Sequence, residues 1–256
     1  MKKKLVGIYL LITLFFISCV PRKEMVYFQG SQNFNNASNN YEPLIQNDDM
    51  LYINVSSFEP DASRPFNLET LGDDNSSRLN SSGGFLQQKQ TYLVDIKGNI
   101  EFPVIGTVTV AGYSIINLKE LLKKKLEPYV KDPVVNIRIV NFKVTVLGEV
   151  VKPGTVTCDS QRLTLIDALA KAGDLTIYGL RQNIVIIRDF QGIKTFNRID
   201  ITKADFVNSP FYYLDQNDVV YVEQRKSKLN SAAVGGNYGV ILSLVGLGLS
   251  LILIFK

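Results

Sequence analysis

The run "GVILSLVGLGLSLILIFK", from Gly239 to Lys256, places the strongest constraint on what this chain can fold into. Twelve large apolar side chains lie between Val240 and Phe255. Burying each of them contributes roughly 1.5–3 kcal/mol, so the run represents on the order of 20–35 kcal/mol. Because the net stability of a typical domain is only about 5–15 kcal/mol, the run must be buried in protein, cleaved off or placed in lipid. We predict a membrane helix over residues 234–256, after a linker over residues 226–233.

Small residues recur along one face of this predicted helix. Four of them follow a 4-3-4 spacing, which places them on one stripe: Gly239, Ser243, Gly246 and Ser250. Small residues let helices approach each other closely in membranes. The stripe therefore predicts packing between helices or, in a ring of such helices, the lining of a pore.

The first residues, "MKKKLVGIYLLITLFFISC", have the pattern of a secretory leader. Three lysines precede an apolar run, Leu5–Ile17, that is too short for a comfortable transmembrane helix. The leader ends in "FISC", where a small residue precedes Cys19, and this resembles a bacterial lipobox. We therefore predict a lipoprotein signal peptide over residues 1–18 and lipid attachment at Cys19. The alternative is an ordinary cleavage site with an incidental cysteine.

The composition excludes several classes of function. The chain has 28 Lys and Arg residues against 24 Asp and Glu residues, and three of the lysines lie in the predicted leader. The remainder is close to neutral, whereas nucleic-acid binding depends on dense Lys and Arg clusters. The chain has no His, and once Cys19 is acylated a single thiol, Cys158, is left for a metal site or a disulfide. We predict no catalytic residues, no metal, no cofactor and no nucleic-acid partner.

Two small β-rich domains are predicted to follow a polar segment. Residues 19–40 are rich in Asn and Ser and predict a flexible tether. Residues 41–140 and 141–225 each combine short strands with one helix, which predicts an α+β fold. The boundary is placed at Val140–Asn141 because the alternation of apolar residues changes parity there, and a one-residue slip inverts the two faces of a strand.

Capping residues predict the two helices. Ser114 is the expected N-cap of an amphipathic helix. Thr164 is the expected N-cap of a second helix, with Asp167 at the capping-box position and Gly173 after the last turn.

Turn residues predict two hairpins and one repeated device. One hairpin is expected across residues 92–102 with its turn at 97–99, and the other turns at 189–192. The stretches "IQNDDMLYINV" and "LDQNDVVYVE" share the letters QND before a strand that contains a Tyr. Asp48–Asp49, in the first of these stretches, is interpreted as part of a solvated turn.

The series "VTVLGEVVKPGTV", "LTLIDALAKAGDL" and "YYLDQNDVVYVE" closely resembles the SLBB (soluble ligand-binding β-grasp) domain. Upstream, "YEPLIQNDDMLYINV", "YLVDIKGNIEFPVIGTVTVAGYS" and "LEPYVKDPVVNIRI" resemble the N-terminal domain of the Wza-like polysaccharide export lipoproteins of bacterial outer membranes. Together these stretches cover roughly residues 41–223. The resemblance implies a structural role for the motif residues Gly148, Glu149, Pro153, Gly154, Asp167, Gly173 and Asp218.

The resemblance implies a homo-oligomeric ring, octameric in the best-known relatives. Such a ring forms a porin-like channel that exports capsular or exopolysaccharide from the periplasm, where the soluble domains lie, to the cell surface. The implied partners are the polysaccharide cargo, membrane lipid and an inner-membrane polysaccharide co-polymerase or tyrosine kinase. Two features depart from the larger relatives. We find one SLBB domain where they have two, and the predicted C-terminal helix is apolar nearly all round where theirs is amphipathic.

Other classes of protein remain open at this point. The first is a membrane-anchored scaffold lipoprotein that binds a sugar or a protein and forms no pore. The second is a glycosidase, although no pair of acids is set in environments that would separate their pKa values. The third takes "NSAA" and the apolar run as a cleaved lipid-anchor signal, against which the lipobox and the short spacer argue.

Overall fold

The computed structural model describes residues 22–30, 41–68, 90–158, 160–190 and 192–228, and the single residues Gly239, Ser243, Gly246 and Leu247. The fold is α+β with β-rich domains, as predicted. Its buried side chains form two hydrophobic clusters, one from Ile45 to Ile137 and one from Phe142 to Val222. Ile139 packs against both clusters, so the two cores meet at the end of one strand.

The first domain consists of a three-stranded sheet, a hairpin and a helix. Its elements are β1 (Met50–Ser56), α1 (Pro60–Ser63), β2 (Tyr92–Leu93), β3 (Asn99–Phe102), β4 (Gly106–Thr109), α2 (Ile115–Leu126) and β5 (Val134–Ile139). The sheet has the order β2-β1-β5 and is antiparallel, while β3 and β4 pair with each other. Alternate residues of β1, namely Leu51, Ile53 and Val55, are buried in the core together with the inner face of α2.

The second domain is built on a five-stranded sheet. Its elements are β6 (Lys143–Gly148), β7 (Gly154–Thr157), β8 (Leu163–Thr164), α3 (Leu165–Lys171), β9 (Gly179–Phe190), β10 (Ile193–Ile199), β11 (Tyr213–Leu214) and β12 (Val219–Gln224). The sheet has the order β10-β9-β12-β6-β7, in which β12 and β6 are parallel and the other pairs are antiparallel. The short strands β8 and β11 form a separate pair.

Both predicted helix starts are confirmed. The Ser114 hydroxyl accepts the backbone N–H of Asn117 at 3.3 Å at the start of α2. At the start of α3, Thr164 and Asp167 form a reciprocal capping box. These caps satisfy backbone donors that have no partner within the helix, which is why short polar residues fix the position where a helix begins.

One predicted hairpin is correct and the other is wrong. The chain turns between β9 and β10 as predicted, where the N–H of Gly192 donates to Asp189 at 3.0 Å. In the first domain, however, β3 pairs with β4, and β2 pairs with β1. The apolar alternation of residues 92–102 gave the strand residues but not their partners, because strand pairing depends on contacts distant in sequence.

Residues 22–30 pack against the second domain, whereas the sequence predicts a flexible tether there. The N–H of Gln29 donates to the carbonyl of Thr202 at 2.6 Å, and the ring of Phe28 stacks on Phe206 with 5.6 Å between centroids. The aromatic residues of this short segment bury apolar surface, which the high Asn and Ser content of the whole tether conceals.

Several predicted features lie outside the described residues. They are the signal peptide over residues 1–18, Cys19, part of the linker and most of the predicted helix over residues 234–256. Within the described part of the chain, no helix is long and apolar enough to cross a membrane.

Candidate functional site

The two domains are joined through the side chain of Asn141. The backbone ladder of the first sheet continues one residue beyond β5, since the N–H of Val140 donates to the carbonyl of Met50 at 2.9 Å. Asn141 then uses its amide in both directions: its Oδ1 accepts the N–H of Met50 at 2.9 Å, and its Nδ2 donates to the carbonyl of Asp48 at 2.9 Å. The chain thus leaves one sheet and enters the next at the position where the apolar parity changes.

Gln216 of the second domain completes this junction. Its Nε2 donates to the carbonyl of Asn141 at 2.9 Å, and its Oε1 accepts the N–H of Lys143 at 2.8 Å. The Gln216 side chain is buried, so both contacts lie away from water. Breaking either of them would leave a buried polar group without a partner, at a cost of about 1–3 kcal/mol. The junction therefore resists bending between the domains.

The strand β1 starts with a carboxylate-capped turn. The N–H of Gln46 donates to Oδ2 of Asp49 at 2.8 Å, and the N–H of Asp49 donates back to the carbonyl of Gln46 at 3.3 Å. Asp48, between them, has a φ of 66°. This left-handed conformation is one that Asn and Asp tolerate better than most residues.

The same turn precedes β12 in the second domain. The N–H of Asp215 donates to Oδ2 of Asp218 at 2.8 Å, the N–H of Asp218 donates to the carbonyl of Asp215 at 3.2 Å, and Asn217 has a φ of 65°. The structural match therefore pairs Asp49 with Asp218, one residue away from the register in which the letters QND coincide. In this register, the tyrosines of β1 and β12 also coincide.

The interpretation of Asp48–Asp49 as a solvated turn is wrong for Asp49. Its side chain is completely buried, and burial raises the pKa of Asp49 to about 6, opposed by the N–H of Gln46. A carboxylate that caps a turn at the base of a sheet must be buried with the strand that it starts. Composition around the residue indicated a turn correctly, but it could not show which side chain points inward.

Asp218 is likewise buried, but it has a cationic partner. The Arg188 guanidinium contacts both of its oxygens, at 2.7 and 3.0 Å, and reaches Asp215 at 2.9 Å. Tyr41, which precedes the first domain, donates to Asp215 and to the carbonyl of Leu214, the latter at 3.0 Å. This cluster joins the start of the first domain to the second turn, so the junction has a second set of contacts.

A cleft of about 590 Å³ lies between the domains beside these turns. Amide, carboxylate and ammonium groups supply much of its polar lining, from Gln46, Asn47, Asp48, Lys97, Asp189 and Asn217. Such groups can form hydrogen bonds with sugar hydroxyls. Among the described residues, no group of three or more His, Cys, Asp or Glu side chains could hold a metal ion.

Gly148 lies where β6 approaches the backbone of β12. Its φ is 89°, and a Cβ at this position would lie 2.1 Å from the carbonyl oxygen of Val222. That oxygen accepts the N–H of Glu149 at 2.9 Å. Only glycine fits this close approach without moving one of the two parallel strands.

Glu149 connects β6 to two later parts of the chain. Its buried carboxylate accepts the hydroxyl of Thr176 at 2.6 Å and forms an ion pair with Lys228. The Lys228 ammonium and the Thr176 hydroxyl lower the pKa of Glu149. The residue thus fixes the position where the chain leaves the second domain.

The remaining motif residues occupy turns and caps. Pro153 is exposed immediately before β7, and Gly154 is the first residue of that strand. Asp167 belongs to the capping box of α3, and Gly173 follows the helix with a φ of 78°. The structure does not bring these residues together into one site.

The predicted membrane stripe is described in part. Gly239, Ser243 and Gly246 are helical and exposed, and a Cβ added at either glycine would meet no atom within 4 Å. Ser250, the fourth member of the stripe, and Cys19 lie outside the described residues.

Two family models match the chain in the order of its two domains. Residues 37–140 match the family described as polysaccharide biosynthesis/export protein, and residues 142–222 match the SLBB domain. The chain is a polysaccharide biosynthesis/export family member that carries an SLBB domain. The junction at Asn141 is therefore the connection between the export domain and the SLBB domain.

Two relatives carry the printed name EPS I polysaccharide export outer membrane protein EpsA. The protein from Ralstonia nicotianae is 30% identical over 139 residues, which are 53% of this chain and 36% of the relative. The protein from Ralstonia solanacearum is 33% identical over 89 residues, which are 34% of this chain and 24% of the relative. The chain thus spans well under half the length of either relative.

Sequence reasoning missed the residues that hold the export and SLBB domains together. Asn141, Gln216 and Asp49 are polar residues in turns, where a solvated position is the usual expectation. The available signal was the repeated turn: if its two copies had been aligned on the tyrosines, Asp49 would have matched Asp218, a motif residue of the SLBB domain.

Proposed function

We propose that this chain is the subunit of a homo-oligomeric channel in the bacterial outer membrane that exports capsular or exopolysaccharide from the periplasm to the cell surface. The observation that carries the proposal is the export domain followed by the SLBB domain, matched over residues 37–140 and 142–222. The printed names of the two Ralstonia relatives, which are outer membrane polysaccharide export proteins, agree with it.

A transport role needs no reactive group in the protein. A hydrated polysaccharide cannot cross hydrocarbon because its hydroxyls would lose their hydrogen-bond partners. A passage has only to keep those hydroxyls wet. A chain without His, and with no metal-binding cluster among its described residues, is consistent with this requirement.

An exposed apolar face supports assembly with further copies of the chain. Phe196, Tyr221 and Leu147 lie on the same face of the five-stranded sheet, opposite its core, and are 69%, 40% and 42% exposed. Exposed apolar patches on a sheet indicate a binding surface. A junction that resists bending would let contacts on both domains add up in one ring.

The proposed channel is held in the membrane at two points. Cys19 carries the lipid, and residues 234–256 form the membrane helix, whose small-residue stripe packs against neighbouring helices or lines the pore. The two soluble domains lie in the periplasm. There they meet an inner-membrane polysaccharide co-polymerase or tyrosine kinase that delivers the polymer.

The cleft between the domains favours a second candidate function. It is large enough, at about 590 Å³, to hold a small saccharide, and its lining supplies hydrogen-bonding groups. The chain would then be a membrane-anchored scaffold that binds a sugar or a protein and forms no pore.

Two measurements on the full chain separate these candidates. The first is the mass of the detergent-solubilised protein, and the second is surface polysaccharide in a deletion strain complemented with the gene. A closed oligomer together with restored export supports the channel. A monomer that binds oligosaccharide and does not restore export supports the scaffold and contradicts the channel.

A further inference from the structure

Residues 22–30, which we call the strap, are fixed along the SLBB domain by backbone hydrogen bonds. Gln29 forms a parallel bridge with Lys203. The N–H of Ala204 donates to the carbonyl of Gln29 at 3.0 Å, and the N–H of Phe28 donates to the carbonyl of Ile201 at 3.3 Å. The strap thus adds a short extended segment to the domain.

The strap also covers two buried arginines of the SLBB domain. Arg225 donates to the Glu24 carboxylate at 2.6 Å and to the Glu24 carbonyl at 3.1 Å. Arg181 lies over the ring of Tyr27, with 5.2 Å from its Cζ to the ring centroid. Sulfur contacts of 3.4 and 3.8 Å connect Met25 to the two guanidinium groups. Without the strap, both arginines would lose part of their surroundings, so its position is specified by charge as well as by backbone pairing.

These contacts bring the two ends of the folded body to one place. Glu24 follows Cys19 by five positions, which at about 3.3–3.6 Å per residue is a reach of at most roughly 18 Å. Its partner Arg225 is the residue directly after β12, where the chain leaves the SLBB domain toward residues 234–256. A lipid on Cys19 and a helix over residues 234–256 would therefore depart from neighbouring points.

Lysines are gathered at the same place. Lys23 and Lys226 each adjoin one member of the Glu24–Arg225 pair in sequence, and both are exposed. Lys228, whose side chain is 44% exposed, lies beside them in sequence and pairs with Glu149. Ammonium groups close to a bilayer surface are attracted to phosphate headgroups.

We propose that the strap and residues 225–228 together form the membrane-facing end of the folded body, where Lys23 and Lys226 bind the phosphates of phospholipid headgroups. This inference rests on the proposed function for the two membrane attachments. It adds that both attachments enter the same leaflet, and that the strap is the part that holds them together.

The test uses the full acylated chain in phosphatidylethanolamine–phosphatidylglycerol vesicles that contain a headgroup spin label. A fluorophore is placed at Lys23→Cys or Lys226→Cys, and at Lys123→Cys on α2 as the control, because Lys123 is exposed on the export domain. Cys158 is buried and stays unlabelled under native conditions. We expect the spin label to quench the probes at 23 and 226 to a similar extent and to leave the probe at 123 unquenched.

Unequal quenching overturns the inference. If the probe at 23 is quenched while the probe at 226 behaves like the one at 123, the two ends do not share one membrane surface, although the chain is still anchored. If the chain does not float with the vesicles at all, the proposed anchoring fails as well. A closed oligomer measured in detergent reports separately on the channel proposal.

A disulfide tests the strap itself. The bridged pair Gln29 and Lys203 has the spacing of adjacent strands, which a disulfide can span. We expect Gln29→Cys with Lys203→Cys to lose both new thiols on oxidation and to keep the quenching of a probe at 226. Gln29→Cys with Lys194→Cys, an exposed position on β10, is the control that keeps its thiols. Equal behaviour of the two double variants would show that the strap is not docked, and would overturn the inference.

Discussion

Gly148 offers the sharpest test of how the SLBB sheet is built. Replacing it with Ala keeps a φ of 89°, which costs a residue with a Cβ about 1–2 kcal/mol. The new Cβ would also lie 2.1 Å from the carbonyl oxygen of Val222, so β6 and β12 must separate. The N–H of Glu149 then loses its acceptor, at a further cost of about 1–3 kcal/mol.

The expected total for Gly148→Ala is about 2–5 kcal/mol. For a domain of this size each kcal/mol lowers the midpoint of thermal unfolding by about 4–8 °C. Gly192→Ala is the matched control, because Gly192 has a φ of 82° but no atom within 4 Å of its would-be Cβ. We expect it to cost about 1–2 kcal/mol, from the backbone conformation alone.

The assay is thermal unfolding of the full chain in detergent, followed by tyrosine fluorescence, since the chain has 12 Tyr and no Trp. We expect Gly148→Ala to lower the midpoint clearly more than Gly192→Ala. Equal shifts for the two variants would refute the reasoning, because they would mean that the close approach of β6 to β12 adds nothing to the cost of the backbone conformation.

Three further predictions concern the junction and the exit of the SLBB domain. Burial raises the pKa of Asp49 from 3.8 to about 6. The folded state therefore keeps this proton across a window in which the unfolded state has lost it, so stability falls by about 3 kcal/mol as pH rises through that window. Urea unfolding of Asp49→Asn at about pH 4 and about pH 7 should lack this loss, and an unchanged pH dependence would contradict the assignment. Asn141→Ala removes the acceptor of the Met50 N–H and should cost about 1–3 kcal/mol, with faster proteolysis between the domains; unchanged cleavage there would contradict the rigid junction. A double-mutant cycle of Glu149→Gln and Lys228→Gln should give a coupling of about 0.5–1 kcal/mol, and additive effects would show that the pair does not hold the exit.

The parts of the fold that local chemistry determines could be predicted from the sequence. The caps at Ser114 and Thr164 satisfy backbone donors of their own helices, so a short stretch contains all the information needed. The change of apolar parity near Val140–Asn141 coincides with the passage from one sheet to the other, because a side chain must face whichever core its strand covers.

Features that depend on distant contacts could not be predicted. Strand β2 pairs with β1, although the adjacent β3 offered an equally alternating partner. Asp49 is buried because a strand and a turn of the other domain close over it, and neither is visible in its local sequence. The strap is held by Arg181 and Arg225, which lie far along the chain from Tyr27 and Glu24.

The candidate site shows the same division. The motif residues of the SLBB domain stood out in the sequence because glycines and acids at fixed spacing carry a strong family signal. The junction residues Asn141 and Gln216 did not, since an amide side chain gains its role only when both domains are folded around it. The repeated turn is the exception, because its two copies can be compared within one sequence.

An image of the purified full chain in a lipid bilayer tests the central claim most directly. The account predicts a closed ring of identical subunits, with the C-terminal helices surrounding an opening continuous with a space enclosed by the export and SLBB domains. Single copies in the bilayer, or a cluster of copies around a filled centre with no aqueous path, would contradict it.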